Sequence, residues 1–210
     1  PWTMYSSVDP GVEYWNNVYH HDVYDKLVDM DPTSPYMAKP MLAESFEASA
    51  DGKEWTFHLR KGVKFSDGNP VDAKAVVASM ERFRDGTSAQ ASTMKDNTYA
   101  AIDDATVTVT MSMPNPALLN MLSIAQGLIA SPASFAGADI ATHPVGSGPY
   151  ILDTKETVTG TKYVYHANPD YWDKKNLHYD NLILNTMTDP TAILNAIKSG
   201  EANGAKFTDN

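Results

Sequence analysis

Between Glu54 and Arg60 the chain alternates without a break: Trp55, Phe57 and Leu59 are apolar, and Thr56, His58 and Arg60 are polar. A period of two sends successive side chains to opposite faces, so this stretch reads as a strand with one buried face. A second strand over 42–48 precedes it. Ala50-Asp51-Gly52-Lys53 supplies the turn between them, with Gly52 free to take positive φ. Lys61-Gly62 ends the strand, and Asp67-Gly68-Asn69-Pro70 makes another turn.

The rest of the chain is organised around that hairpin. Val12, Trp15, Tyr19, Val23 and Leu27 recur at spacings of three and four, which predicts a helix over 12–27. Pro32, Pro35 and Pro40 mark an irregular connection. A helix is predicted from Ala73 to Arg84, capped by Asp72, with Val76, Met80 and Phe83 on one face. Strands at 98–103 and 105–113 form a second hairpin, in which Val107, Val109 and Met111 alternate with threonines. A short helix is expected at 117–124. The stretch 127–147 is rich in Gly, Ala, Ser and Pro and reads as a crossing between two subdomains. Strands follow at 149–154 and 161–167, and Leu182-Ile183-Leu184 reads as a buried strand. A last helix opens at Asp189-Pro190, faces Ile193, Leu194 and Ile197 inward, and stops at Gly200. The fold class is therefore mixed α/β, without the regular alternation of a Rossmann chain.

Composition narrows the function. The 210 residues carry 16 basic and 26 acidic side chains, a formal charge of −10. Displacing counterions from phosphates needs a positive surface, so nucleic acid is excluded as a partner and anionic membrane surfaces are disfavoured. There is no cysteine, which removes disulfides, thiolate metal sites and thiol nucleophiles. No apolar run approaches the ~20 residues of a membrane span. The chain opens with Pro1 rather than a start residue, so a trimmed or processed N-terminus is expected.

Catalytic chemistry finds no footing. Ser147 lies between Gly146 and Gly148, but Val145 and Pro149 occupy the outer positions of a nucleophile elbow. No phosphate-binding loop is present. His20 and His21 are adjacent, which on a helix turns them about 100° apart. The other histidines lack ligand spacing, and all six read as surface or satisfied residues. Asp103-Asp104 reads as a turn. No catalytic residue, metal site or cofactor is assigned.

Four segments together resemble one family. Pro40 to Glu47 leads into Asp51-Gly52-Lys53-Glu54-Trp55-Thr56-Phe57-His58-Leu59-Arg60-Lys61-Gly62-Val63-Lys64-Phe65-Ser66-Asp67-Gly68-Asn69-Pro70-Val71. The helix from Ala73 to Arg84 follows. Val145-Gly146-Ser147-Gly148-Pro149-Tyr150 is the third segment. Asn168-Pro169-Asp170-Tyr171-Trp172, with Ile197-Lys198-Ser199-Gly200-Glu201-Ala202, is the fourth. In this order and spacing they are similar to the family 5 extracellular solute-binding proteins, the peptide- and nickel-binding components of ABC importers.

The resemblance implies a periplasmic-binding-protein-like fold of type II, cluster C, of which this chain would be the first lobe. It implies a discontinuous subdomain from 1–24 and 129–210, an inserted subdomain from 25–128, and a second lobe lying outside the sequence. It also implies capture of a peptide or similar small solute, delivery to a membrane ABC permease, and an extracytoplasmic location, periplasmic or tethered as a lipoprotein. The family's first-lobe cleft residues follow the first strand, which makes Gly11, Val12, Glu13, Tyr14 and Trp15 candidates. Glu13 suits a ligand ammonium group, and Tyr14 or Trp15 suits an apolar side chain. Ser147 is a further candidate. A ligand-sensing receptor module on the same lobe, or a hydrolase, would be the alternatives.

Overall fold

The computed structural model describes residue 7 and residues 9–11, 17–136 and 138–205. The alternating segment is a central strand. β1 (Val28–Met30) and β2 (Ala38–Pro40) form a small antiparallel pair. β3 (Ala43–Ala48) and β4 (Glu54–Leu59) form the predicted hairpin. With β5 (Thr98–Asp103) and β6 (Thr106–Thr110) they make an antiparallel sheet in the order β3-β4-β6-β5. Phe57 stands opposite Phe46 on one side and Val107 on the other, and Trp55 opposite Ala48 and Val109. Trp55, Phe57 and Leu59 are buried, as are Val107 and Val109, so one continuous apolar face results.

Helix α2 (Ala73–Arg84) covers part of that sheet, running against β5 and β6. Asp72 caps it, its carboxylate accepting from the Ala75 N–H at 2.8 Å. Ala73, Val76, Met80 and Phe83 point into the core. The short helix α3 (Leu118–Leu122) closes the same core with Leu118, Leu119 and Leu122.

A second sheet is built from β7 (Tyr150–Leu152), β8 (Lys162–Ala167) and β9 (Asn181–Asn185), in that order. Its core is rich in tyrosine: Tyr150, Tyr163 and Tyr165 pack with Tyr19, Val23, Tyr24, Leu128 and Ile140. The Tyr19 and Tyr163 rings lie 4.6 Å apart, an attractive tilted arrangement.

Three segments depart from the sequence-based expectation. Helix α1 runs over Asn17–His21 and stops there, short of the expected Leu27, while residues 12–16 lie outside the described set. The cause is tertiary: backbone groups of Asp22, Val23, Asp25, Lys26 and Leu27 pair with distant segments and cannot also close helical turns. β9 is an edge strand. Leu182 and Leu184 pack on the tyrosine core, but Ile183 is 52% exposed. Helix α4 (Pro190–Ser199) has the expected Asp189 cap and left-handed Gly200 stop, yet only Ala196 is buried. Ile193 and Ile197 are half-buried and Leu194 is exposed, because no described element covers that face extensively.

Candidate functional site

The two cores meet where three chain segments cross. Residues 127–131 run between 25–27 and 145–146. Leu27 N–H donates to the Gly127 carbonyl at 3.0 Å and Ile129 N–H to that of Asp25 at 3.0 Å, while Ser131 N–H donates to that of Val145 at 2.9 Å. Gly148 N–H and Tyr150 N–H then donate to the carbonyls of Val23 and Asp22, both at 2.8 Å. This approach requires glycine. A Cβ on Gly146 would sit 2.1 Å from the Val23 carbonyl oxygen, and one on Gly148 would sit 2.6 Å from the Val23 carbonyl carbon. The Gly-Ser-Gly-Pro turn is thus a packing device, which explains its composition.

Ser147 lies at this crossing, buried, with its hydroxyl donating to Asp25 Oδ2 at 2.9 Å. Trp172 Nε1 donates to the same oxygen at 2.8 Å, and the Tyr171 hydroxyl lies 3.5 Å from Oδ1. Arg60 places its guanidinium over the Trp172 ring, 4.7 Å from the centroid. Asp25 is fully buried. Desolvation pushes its carboxyl up to about 7, against the opposing pull of the hydrogen bonds from Trp172, Ser147 and Tyr171. The structure therefore places Ser147 behind the surface, where its hydroxyl orients Asp25. Sequence reasoning missed Asp25. In the sequence Asp25 is, like Asp22 and Lys26, a charged residue off the apolar stripe of the expected helix, so nothing there singles it out.

The chain approaching the other candidates is anchored too. Asp9 is buried and accepts two hydrogen bonds from Arg82 of α2, at 2.7 and 2.6 Å. This fork geometry is the strong form of the pair. Asp9 Oδ1 also accepts from Gly11 N–H at 2.8 Å, and Ser88 N–H donates to the Gly11 carbonyl at 3.1 Å. Phe135 stacks on the Arg82 guanidinium at 4.9 Å. Gly11, itself buried, is thereby held against α2. Val12, Glu13, Tyr14 and Trp15, which follow, lie outside the described residues.

Among the described residues, several buried polar atoms have no hydrogen-bond partner: both ring nitrogens of His20, Asp22 Oδ2 and the hydroxyls of Tyr24 and Tyr165. His20 is no surface residue. It is fully buried, and burial lowers its pKa to about 4. Burial raises Asp22 to about 7. Among the described residues, no group of three His, Asp or Glu side chains is placed to hold a metal ion.

Compared with known proteins, residues 38–209 match the family model of bacterial extracellular solute-binding proteins, family 5 Middle. The glutathione-binding protein GsiB of Escherichia coli O1:K1 / APEC is 34% identical over 172 residues, covering 78% of this chain and 33% of the relative. The chain thus spans about a third of the length of the curated relatives it matches. Among solved structures, the binding protein AgaA of A. tumefaciens R10 with agropinic acid has a TM-score of 0.83 at 30% identity, covering 93% of this chain and 40% of that one. The nickel ABC transporter protein of Bacillus halodurans has a TM-score of 0.79 at 30% identity, covering 94% and 40%.

Proposed function

The chain belongs to the family 5 bacterial extracellular solute-binding proteins, with the fold of the type II periplasmic binding proteins, and from that premise we propose that it forms one wall of a solute-capture cleft in an ABC import system. The observation that carries this reading is the match over 38–209, which includes the four-stranded and three-stranded sheets and the 127–131 and 145–150 segments of the crossing.

In a two-lobed protein of this kind, ligand is enclosed when the lobes close about a hinge. The segment from Gly11 to Trp15 would line the first lobe's side of the cleft. Glu13 would meet a ligand ammonium group, and Tyr14 and Trp15 would cover apolar surface. The Asp9–Arg82 pair supports this assignment by fixing Gly11 at the start of the segment. Ser147, buried at the crossing, would support the cleft wall from behind by packing. The solute would be a peptide or another small zwitterion, a class to which glutathione, named for the relatives, belongs. Delivery to a membrane permease and an extracytoplasmic location, periplasmic or lipid-tethered, complete the reading. Among the described residues no helix is long and apolar enough to cross a membrane. The role is binding, not catalysis.

We propose the same two subdomains as the sequence: 1–24 with 129–210, and 25–128. The two apolar clusters support it, one around Phe57 and α2 and the other around the tyrosines of β7 and β8. They interdigitate at the crossing, where Leu128 joins the tyrosine cluster and Ile129 the other.

Native mass spectrometry of the protein isolated from its own cells tests the function. A co-purified peptide-sized solute is the expected result. A ligand-free protein that also fails to bind a pool of di- and tripeptides would refute it.

A further inference from the structure

The crossing holds a second feature that solute capture does not use. Asp25 is a fully buried carboxyl group that joins elements of both cores, and none of the ion pairs formed among the described residues includes it. The nearby charges are already occupied or of the wrong sign. On its own segment, Lys26 Nζ is bound to Asp29 at 2.6 Å. Beyond β4, Arg60 stacks on the far partner, Trp172. In the loop after β8, Asp173 adds negative charge. Among the described residues, only neutral donors reach the carboxyl group: Ser147 and Trp172 on Oδ2 and Tyr171 near Oδ1.

That arrangement accommodates a proton without loss of a hydrogen bond. Oδ2 accepts twice in either state. Oδ1 faces a tyrosine hydroxyl, which donates to a carboxylate and accepts from a carboxylic acid. A buried carboxylate with no cation is costly, whereas the protonated form is neutral.

We propose that Asp25, with Tyr171 as its exchange partner, is a proton-binding joint between the two subdomains. Proton loss leaves an unpaired charge at the crossing and loosens the ladder formed by residues 22–27, 127–131 and 145–150; proton uptake tightens it. The burial-driven rise of the carboxyl to about 7 places the transition near neutrality. A folded-state pKa above the unfolded one means the contribution is complete below about pH 4 and is lost as pH rises through about 7. The proposal stands apart from solute capture and does not depend on it.

The test is carboxyl ¹³C NMR on the 210-residue chain, with the Asp25 signal assigned by its disappearance in Asp25→Asn. A midpoint above pH 6 is expected, against about 4 for an ordinary aspartate. A midpoint below 5 would overturn the joint. Amide exchange gives an independent readout that needs only the wild type to fold. Protection factors at Leu27, Ile129 and Gly148 should drop about tenfold or more between pH 5.5 and 8, as a unit of pKa implies. Asp25→Asn, which preserves shape and supplies both a donor and an acceptor, should abolish that drop. Protection that is independent of pH in the wild type, or equally dependent in both proteins, would also overturn it.

Discussion

Arg82→Ala should cost about 3–4 kcal/mol of folding stability. The guanidinium makes two short hydrogen bonds to Asp9, whose side chain is only 6% exposed. Among the described residues, truncation leaves that carboxylate with one donor, the Gly11 N–H. Stranding a buried charge costs about 3–5 kcal/mol. The Arg82 side chain is itself 26% exposed, so water enters after truncation and the low end of that range applies. Loss of the stacking contact with Phe135 adds about 0.5–1 kcal/mol. Urea unfolding followed by circular dichroism measures the change, with the slope m unchanged if the transition stays two-state. A chain of this length should lose roughly 2–4 °C in Tm per kcal/mol. Asp9→Asn combined with Arg82→Ala removes the stranded charge, so the pair should lose at least about 1 kcal/mol less than the sum of the single variants. A cost below about 1 kcal/mol for Arg82→Ala, or strict additivity, would refute the clamp.

Three further outcomes follow from the geometry. Gly146→Ala pushes a methyl group onto the Val23 carbonyl oxygen, 2.1 Å from the new Cβ, and should cost about 3 kcal/mol or more in the same unfolding assay; a loss under 1 kcal/mol would mean the crossing is plastic. Phe57→Ala empties the centre of the four-stranded sheet and should cost about 3–5 kcal/mol, with Tm as readout. His20, held at about 4 by burial, binds protons less readily folded than unfolded, so its contribution is present above about 6.5 and is lost as pH falls toward 4. His20→Phe should reduce the fall in stability between pH 6.5 and 4 by roughly 2–3 kcal/mol, a difference best read against the wild type because Asp25 acts in the opposite direction over much of that range.

The local elements were legible wherever one segment decides its own structure. The alternation of Trp55, Phe57 and Leu59 specified β4, and Asp72 with the Val76, Met80 and Phe83 stripe specified α2. The crossing was visible only as composition, since most of its ladder joins residues a hundred or more positions apart. The same remoteness misled the reading of residues 22–27, whose helical period is genuine but whose backbone serves other partners. It also hid Asp25, because Ser147, Tyr171 and Trp172 reach it through the fold alone. The outward lean of Ile183 and Leu194 could not be read from apolarity, which says that a residue prefers burial but not that a neighbour is there to bury it. Of the proposed site, Glu13, Tyr14 and Trp15 lie outside the described residues, and the hold of Asp9 and Arg82 on the preceding Gly11 is visible only in the fold.

Enclosure of a solute between two walls is the central claim, and calorimetry tests it most directly. Glutathione and a pool of di- and tripeptides would be titrated into this 210-residue chain and into a two-lobed protein that carries it. The chain alone should bind nothing tighter than about 1 μM, worth roughly 8 kcal/mol, because one wall leaves most of a ligand's surface in water. The two-lobed protein should bind at least one of these solutes well below that value. Sub-micromolar binding by the chain alone, or no binding by either, would contradict the claim.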